Sequence, residues 1–307
     1  MGKYRYDIGL GTKYMFGTEL EFFGAYLIEV CASLKCKELP YRFALNHKSR
    51  GFTKYDEWYV DIDSTVTNKE NNEFLGGEIS SRILTDKKKI WLELKEVCDA
   101  LKEVNAYCNE NCGNHVRINL APIQNERYFF EALSKLVALF EKEFRLFYMG
   151  DEYFIRSISF EKARSISYHL LNYINNVDFK DPNFLYTFRH NDITLFTRND
   201  GINLQDYDNK KFMEIRYPNG TIKEKTIQNN INFSLKLVDA IDREVFDLER
   251  LTSLIDKEKD DLLSYSLFSD NSFQNFEFIV NSIATSTEDR DDFVDQYERV
   301  LRTRPKL

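Results

Sequence analysis

Phe16-Gly17-Thr18-Glu19-Leu20-Glu21-Phe22 places two carboxylates on alternate positions of a strand-like run, with Leu20 between them and aromatic residues at both ends. Residues i and i+2 of an extended strand point to the same side, so this alternation sorts one polar face from one apolar face. Four more runs repeat the pattern: Trp58-Tyr59-Val60-Asp61-Ile62-Asp63, Gly76-Gly77-Glu78-Ile79-Ser80, His115-Val116-Arg117-Ile118-Asn119 and Phe212-Met213-Glu214-Ile215-Arg216-Tyr217. Gathered into one sheet, they put Glu19, Glu21, Asp61, Asp63, Glu78, His115, Arg117, Glu214 and Arg216 on a common face. A plain solvated face is the simplest alternative, because an antiparallel sheet can leave one side in water. The residue types argue against it. The chain has plenty of Lys and Thr, yet no Lys falls on these inner positions, and carboxylates dominate. Such carboxylates repel one another unless divalent cations and guanidinium groups sit among them. The pattern points to a site for metal and phosphate.

Composition narrows the class. A chain of 307 residues can form one large domain or two modest ones, and a hydrophobic content of 43% fits a folded protein. A net charge of −8 argues against a nucleic-acid binder working through a general basic field. No apolar run approaches the roughly 20 residues needed to span a bilayer, and the N-terminus lacks the apolar stretch of a signal peptide. A cytoplasmic location without membrane contact is the expectation. Five cysteines in a chain this long do not make a disulfide framework. Cys108 and Cys112 before His115, with Cys98, raise a zinc reading, but the spacing is irregular for a structural site. Buried, inert thiols are the simpler expectation.

Along the chain, helical spacing predicts a helix over residues 26–39 and a loop over 40–57. The polar stretch 68–73 predicts a hairpin joining the Trp58 and Gly76 runs. Thr85-Asp86 opens a helix marked by Ile90, Leu94, Val97 and Leu101, with Asp86 as its cap. A second follows Asn125, with Phe129, Leu133, Leu136, Val137, Phe140, Phe144 and Phe147 as a core-facing stripe ended by Met149-Gly150. Residues 161–176 read as a less distinct helix, 193–197 and 212–217 as strands. From Ile222 onward only helices are expected: 231–241, 248–263, 273–283 and 293–301. The charge run 256–261 reads as solvated surface. Strands and helices come first and an all-helical tail follows, so the expected class is α+β with an antiparallel sheet.

Glu19 and Glu21, one pleat apart, raise each other's pKa unless something positive lies between them. Mg²⁺ supplies that charge through hard oxygen ligands. Glu78 can complete the same site or a second one. His115 can bind metal, donate to a phosphate oxygen, or serve as a structural histidine near a turn. Glu214 and Arg216 pair a cation ligand with an anion ligand on one strand face, and a guanidinium fork matches phosphate oxygens. Asp63 ends a strand, where an aspartate can simply cap the turn. Arg198 and Asn203 are candidates for phosphate or substrate contacts. A metal-rich, arginine-bearing face suits phosphoryl transfer. The chain has neither a Gly-x4-Gly-Lys-Ser/Thr loop nor a dinucleotide fingerprint, so nucleotide binding would fall to the sheet itself.

Taken in order, Phe16-Gly-Thr-Glu-Leu-Glu, Trp58 with Asp61-Ile-Asp63-Ser64, Gly77-Glu-Ile-Ser-Ser81, Asn111-Cys-Gly-Asn-His115-Val and Met213-Glu-Ile-Arg216 resemble the amidoligase family. These are carboxylate–amine ligases related to glutamine synthetase and glutamate–cysteine ligase. The resemblance spans residues 14 to 222 and leaves the tail from about 226 uncovered. It implies a glutamine synthetase-like catalytic domain over residues 1–225 with helical insertions, and a helical region over 226–307 packed on it. It implies an antiparallel sheet curved into a funnel that holds ATP and two or more Mg²⁺ ions, with Mn²⁺ as a substitute. Glu19, Glu21, Glu78, His115 and Glu214 match the family's metal-binding positions. Arg216 matches its phosphate-side arginine, and Arg198 resembles one placed before the last motif strand. Many members carry a second histidine where this chain has Arg117, a change that bears on the nucleotide or substrate contact.

The expected activity is ATP-dependent ligation of a carboxylate to an amine through an acyl phosphate. Asp61 or Asp63 is the candidate base or ammonium anchor. The substrates are a small-molecule or peptide carboxylate and amine, and a homo-oligomer is conceivable. Two rival classes remain: a metal-dependent hydrolase using the same carboxylates without ATP, and a non-catalytic binding scaffold. Specificity is expected in the loops around 40–57 and 150–192.

Overall fold

The alternating runs do share one sheet. The computed structural model describes residues 3–44, 56–70, 73–150, 163–263 and 272–303. Strands β1 (Phe16–Tyr26), β2 (Tyr41–Ala44), β3 (Trp58–Asp61), β4 (Asn68–Glu70), β5 (Glu73–Ser80), β6 (Asn114–Asn119), β7 (Ile202–Asn203) and β8 (Phe212–Ile215) are interleaved with helices. The helices are α1 (Leu27–Cys36), α2 (Lys88–Glu103), α3 (Glu126–Met149), α4 (Ser167–Asn176), α5 (Phe184–His190), α6 (Tyr207–Lys210), α7 (Glu224–Asp242), α8 (Leu248–Leu263), α9 (Ser272–Ile283) and α10 (Thr287–Thr303). The strand order is β2-β3-β5-β1-β6-β8-β7, open at both ends, with β4 also paired to β5. All pairings are antiparallel except β2 with β3. The class is mixed α and β, with a mostly antiparallel sheet.

The apolar side of each alternating run enters the core. Phe16, Leu20 and Phe22 of β1, Trp58 and Val60 of β3, Ile79 of β5 and Val116 and Ile118 of β6 are all buried. Phe16 stacks on Trp91 of α2 at 5.7 Å between ring centroids. The expected stripe of α3 is buried throughout. Asn125 caps this helix, accepting from the Tyr128 amide at 3.1 Å, and Gly150 ends it at φ 62°. Helix α7 lies inside the molecule, with every residue from Lys225 to Ile241 buried. It packs on β6 and on α3, α9 and α10, and it runs straight through position 225–226.

Several expectations are corrected. Residues 40–57 are not all loop: Tyr41 and Phe43 share a face, so β2 forms in register with Trp58 and Val60. Residues 45–55 lie outside the described residues. The Trp58 and Gly76 runs do pair antiparallel, but the tight hairpin partner of β5 is β4, which arises from the polar stretch. The strand expected at 193–197 is a 3₁₀ helix, Asp192–Leu195. Its alternation is too short to hold a ladder, and Phe196 is instead buried beside Phe188. Asp86 does not cap α2. Its buried carboxylate accepts from the amides of Ile8, Leu10 and Gly11 and from Trp91 Nε1, tethering the N-terminal segment. The less distinct helix begins only at Ser167; residues 151–162 lie outside the described residues. The four tail helices all form, one with the expected bounds and three of them longer. Within the charge run, Asp256 and Lys257 are exposed.

Candidate functional site

Strand register assembles the site. Glu19 stands opposite His115, and Glu21 opposite Glu78. Asp61 faces Glu78 from the other side, while Arg117 and Asn203 both oppose Glu214. Opposed and diagonal residues on one sheet face lie within side-chain reach, so charges dispersed over two hundred positions of sequence converge. Exposure is 5% at Glu19, 4% at Glu21, 0% at Asp61 and 3% at each of Glu78, His115 and Glu214. That burial excludes the solvated-face reading. Buried charges of this kind persist only when paired or bound to cations.

Two groupings offer ligand atoms within 4.8 Å of one another: Glu19 with His115 and Glu214, and Glu21 with Asp63 and Glu78. In the first, Arg117 reaches Glu19 Oε1 at 2.6 Å and Glu214 Oε1 at 3.0 Å. Arg216 Nη1 and Asn203 Nδ2 donate to Glu214 Oε2 at 3.0 and 2.9 Å. Burial alone would raise the Glu214 carboxyl, and the Glu19 charge adds to that. The Arg117 guanidinium, with that of Arg216, outweighs both and holds it down to about 2. Burial works against the Arg117 charge, yet Glu19, Glu214 and Glu78 together hold the guanidinium above its ordinary value. In the second grouping, Glu21 Oε2 accepts from the Gly113 amide at 2.6 Å, Glu78 accepts from the Ser80 hydroxyl, and Asp63 Oδ1 accepts from the Thr65 amide at 2.7 Å.

His115 stands between the groupings. Its Nδ1 lies 3.0 Å from Glu19 Oε2, a contact that makes Nδ1 the donor and fixes the ring. That leaves a lone pair on Nε2, which is buried, has no hydrogen-bond partner among the described residues, and lies 3.9 Å from Glu21 Oε1. Two atoms that each bind a Mg²⁺-sized ion at about 2.1 Å are at most about 4.2 Å apart. The 3.9 Å between Nε2 and Glu21 Oε1 lies within that limit, and the donor types are those that bind a divalent metal.

The other sequence candidates separate. Asp61 is wholly buried opposite Glu78, with Oδ1 accepting from the Ile62 amide at 2.8 Å. Asp63 is half-buried and does cap the turn, as well as joining the second grouping. Arg198 is exposed in the turn before Asp200, with no hydrogen bond or ion pair to the face among the described residues. Gly113 and Ser80 were not assigned roles from sequence, although both lie in the quoted motifs. Ser80 shares the alternation with Glu78 and was legible. Gly113 acts through its amide and leaves no side-chain signal. The zinc grouping does not assemble. Cys98 is fully buried on α2, Cys108 Sγ donates to the Glu21 carbonyl and Cys112 Sγ to the Asn109 side chain. The metal-compatible groupings among the described residues contain none of these thiols.

A mostly antiparallel open sheet sets carboxylates, an imidazole and two guanidiniums together on one buried face, and its acidic groupings offer ligand atoms of the kind that hold a metal ion. The family model described as "Putative amidoligase enzyme" matches residues 12–238, and the chain belongs to that family. The match takes in most of α7. No curated protein matches the chain. Family membership supports an enzyme of the ligase class.

Proposed function

We propose that the protein is an ATP- and Mg²⁺-dependent ligase that joins a carboxylate to an amine through an acyl phosphate, forming an amide or isopeptide bond. The observation that carries this reading is the buried charged face, where carboxylates, the His115 Nε2 lone pair and the Arg216 guanidinium converge without solvent to dilute their fields. We read the sheet as glutamine synthetase-like, a reading that the motif order supports. Mg²⁺ or Mn²⁺ held by Glu19, His115 and Glu214 or by Glu21, Asp63 and Glu78 would neutralise charge on the nucleotide phosphates. Arg216, anchored on Glu214 and 14% exposed, is positioned to stabilise the transferring phosphoryl group. Asn203 and Arg117 hold Glu214 in place from either side. The incoming amine must lose a proton, and Asp63, half-buried at the strand end, is more reachable for this than Asp61.

The substrates are a small-molecule or peptide carboxylate and amine. Hydroxylamine replaces the amine in the test, since an acyl phosphate converts it to a hydroxamate. With Mg²⁺-ATP and a panel of carboxylates, the wild type should form ADP and hydroxamate in equal amounts, and Glu78→Gln should form neither. Cleavage of an amide or ester without ATP would instead establish the hydrolase. No turnover, with identical behaviour of wild type and Glu78→Gln, would leave the scaffold.

A further inference from the structure

The Glu19–His115–Glu214 grouping already contains cations. Arg117 lays its guanidinium across the gap, Nη2 at 2.6 Å from Glu19 Oε1 and Nε at 3.0 Å from Glu214 Oε1. Arg216 closes the other side, Nη1 at 3.0 Å from Glu214 Oε2 and 3.5 Å from His115 Nδ1. The Phe212 ring, 6.0 Å from Arg117 Cζ, backs the guanidinium against the carboxylates. Two carboxylates thus face two fixed positive charges. A ligating imidazole nitrogen needs a lone pair, and the Nδ1 of His115 is committed as a donor to Glu19. The lone pair of this histidine is on Nε2, directed toward Glu21 in the other grouping.

We infer that Arg117 is a built-in cation: its guanidinium takes the place of a metal ion between Glu19 and Glu214, and the chain holds a single divalent ion, at the Glu21, Asp63 and Glu78 grouping beside His115 Nε2. Glu19 then acts on the metal only through His115, by orienting the ring and fixing its tautomer. This deepens the ligase reading and rests on it for the purpose of the charge. A guanidinium meets a phosphate through directed N–H donors and cannot exchange with the medium, whereas a second ion would be subject to both coordination and loss.

The test is a Mn²⁺ titration of the nucleotide-free full chain, with free Mn²⁺ read by EPR. The wild type should bind one ion per chain, and Glu78→Gln should weaken it at least about tenfold. Arg117→His removes the cation and adds a neutral ligand, so it should bind a second ion. Arg117→Gln removes the charge with less change of chemistry and should gain the second ion too, should the histidine variant fail to fold. Glu19→Gln should keep the count at one. Two ions in the wild type, with one lost in Glu19→Gln, would overturn the inference and mean that the guanidinium swings aside for metal. So would no ion in the wild type, or a count of one in every folded Arg117 variant. The count is independent of turnover. One ion without hydroxamate from any carboxylate would remove the ligase reading alone, and two ions with hydroxamate would remove this inference alone.

Discussion

At the scale of single residues, opposite fates follow from similar burial. Glu214 is held ionised by the guanidiniums around it, whereas Glu143, 1% exposed on α3, is pushed up to about 7 by burial, with the Asn275 amide 3.5 Å from its carboxylate oxygen. Its folded-state pKa lies above the unfolded value, so between about pH 4.5 and 7 the native state binds the extra proton. Stability therefore falls as pH rises through that window and stays reduced above it. The shift corresponds to about 3 kcal/mol. Glu143→Gln should flatten the profile and raise stability at pH 8, measurable by urea unfolding at pH 5 and 8; an unchanged slope would show that the group ionises freely. For Arg216, replacement by lysine keeps the charge and loses the fork. Under the ligase reading, Arg216→Lys should lower kcat by about 10²–10³-fold with a smaller change in KM for ATP. A kcat within threefold of wild type would place phosphoryl stabilisation elsewhere. Most of these roles were legible as residue types on alternate positions. Arg198 was not, because a loop arginine carries no period to say which way it points.

At the scale of elements, β1 explains how the site is framed. Between Phe22 and Tyr26 its register against β5 shifts, and a bulge of this kind bends a strand. Opposite the shift lies Gly76 at φ 80°, where an added Cβ would sit 2.4 Å from the Val66 carbonyl. Gly76→Ala should cost at least about 1–2 kcal/mol, and under the ligase reading it should also weaken Mn²⁺ binding at the Glu78 grouping. A melting temperature equal to wild type would mean that the strand rearranges without strain. The long periodic helices were readable because an amphipathic stripe of several turns is hard to mistake. The 3₁₀ turn at Asp192–Leu195 and the short strand β2 were misread for the same physical reason. Over four or five residues, tertiary packing of Phe196 or Tyr41 outweighs any local preference.

At the scale of the whole molecule, α7 ties the tail to the sheet. It is buried on all sides although it carries Gln228, Asn229, Asn230, Asn232 and Lys236, and each of these side chains has at least one partner on a distant element. Gln296 of α10 donates to Asn230 Oδ1 and the Phe147 carbonyl at 2.9 and 3.1 Å, and accepts from Asn229. Asp289 accepts from Asn232 at 2.9 Å and pairs with Arg5 and Lys236 at 2.8 and 3.2 Å. A chain ending at residue 242 would leave these groups buried without partners or exposed, so it should lose cooperative thermal unfolding; a sharp transition in that fragment would refute this dependence. Burial tends to raise the Asp289 carboxyl, but Asn232, Arg5 and Lys236 bring it down to about 2. This depressed pKa contributes about 2 kcal/mol above pH 4, lost as pH falls toward 2. Asp289→Asn should destabilise the protein at pH 7 and show a shallower acid transition; equal acid midpoints would shift that role to other carboxylates.

The sequence by itself determined which residues share the polar face of the sheet. A period of two fixes the polar side of each strand, and the motif order matches the family to which the chain belongs. Only the tertiary structure decided how those charges are matched. Register set Arg117 against Glu214 and within reach of Glu19, and one 3.0 Å contact at Nδ1 turned the His115 lone pair toward Glu21. Strand alternation specifies a face but not the neighbour on the next strand. Pairing of charges depends on distances of a few ångströms between residues about a hundred positions apart, which no local pattern encodes.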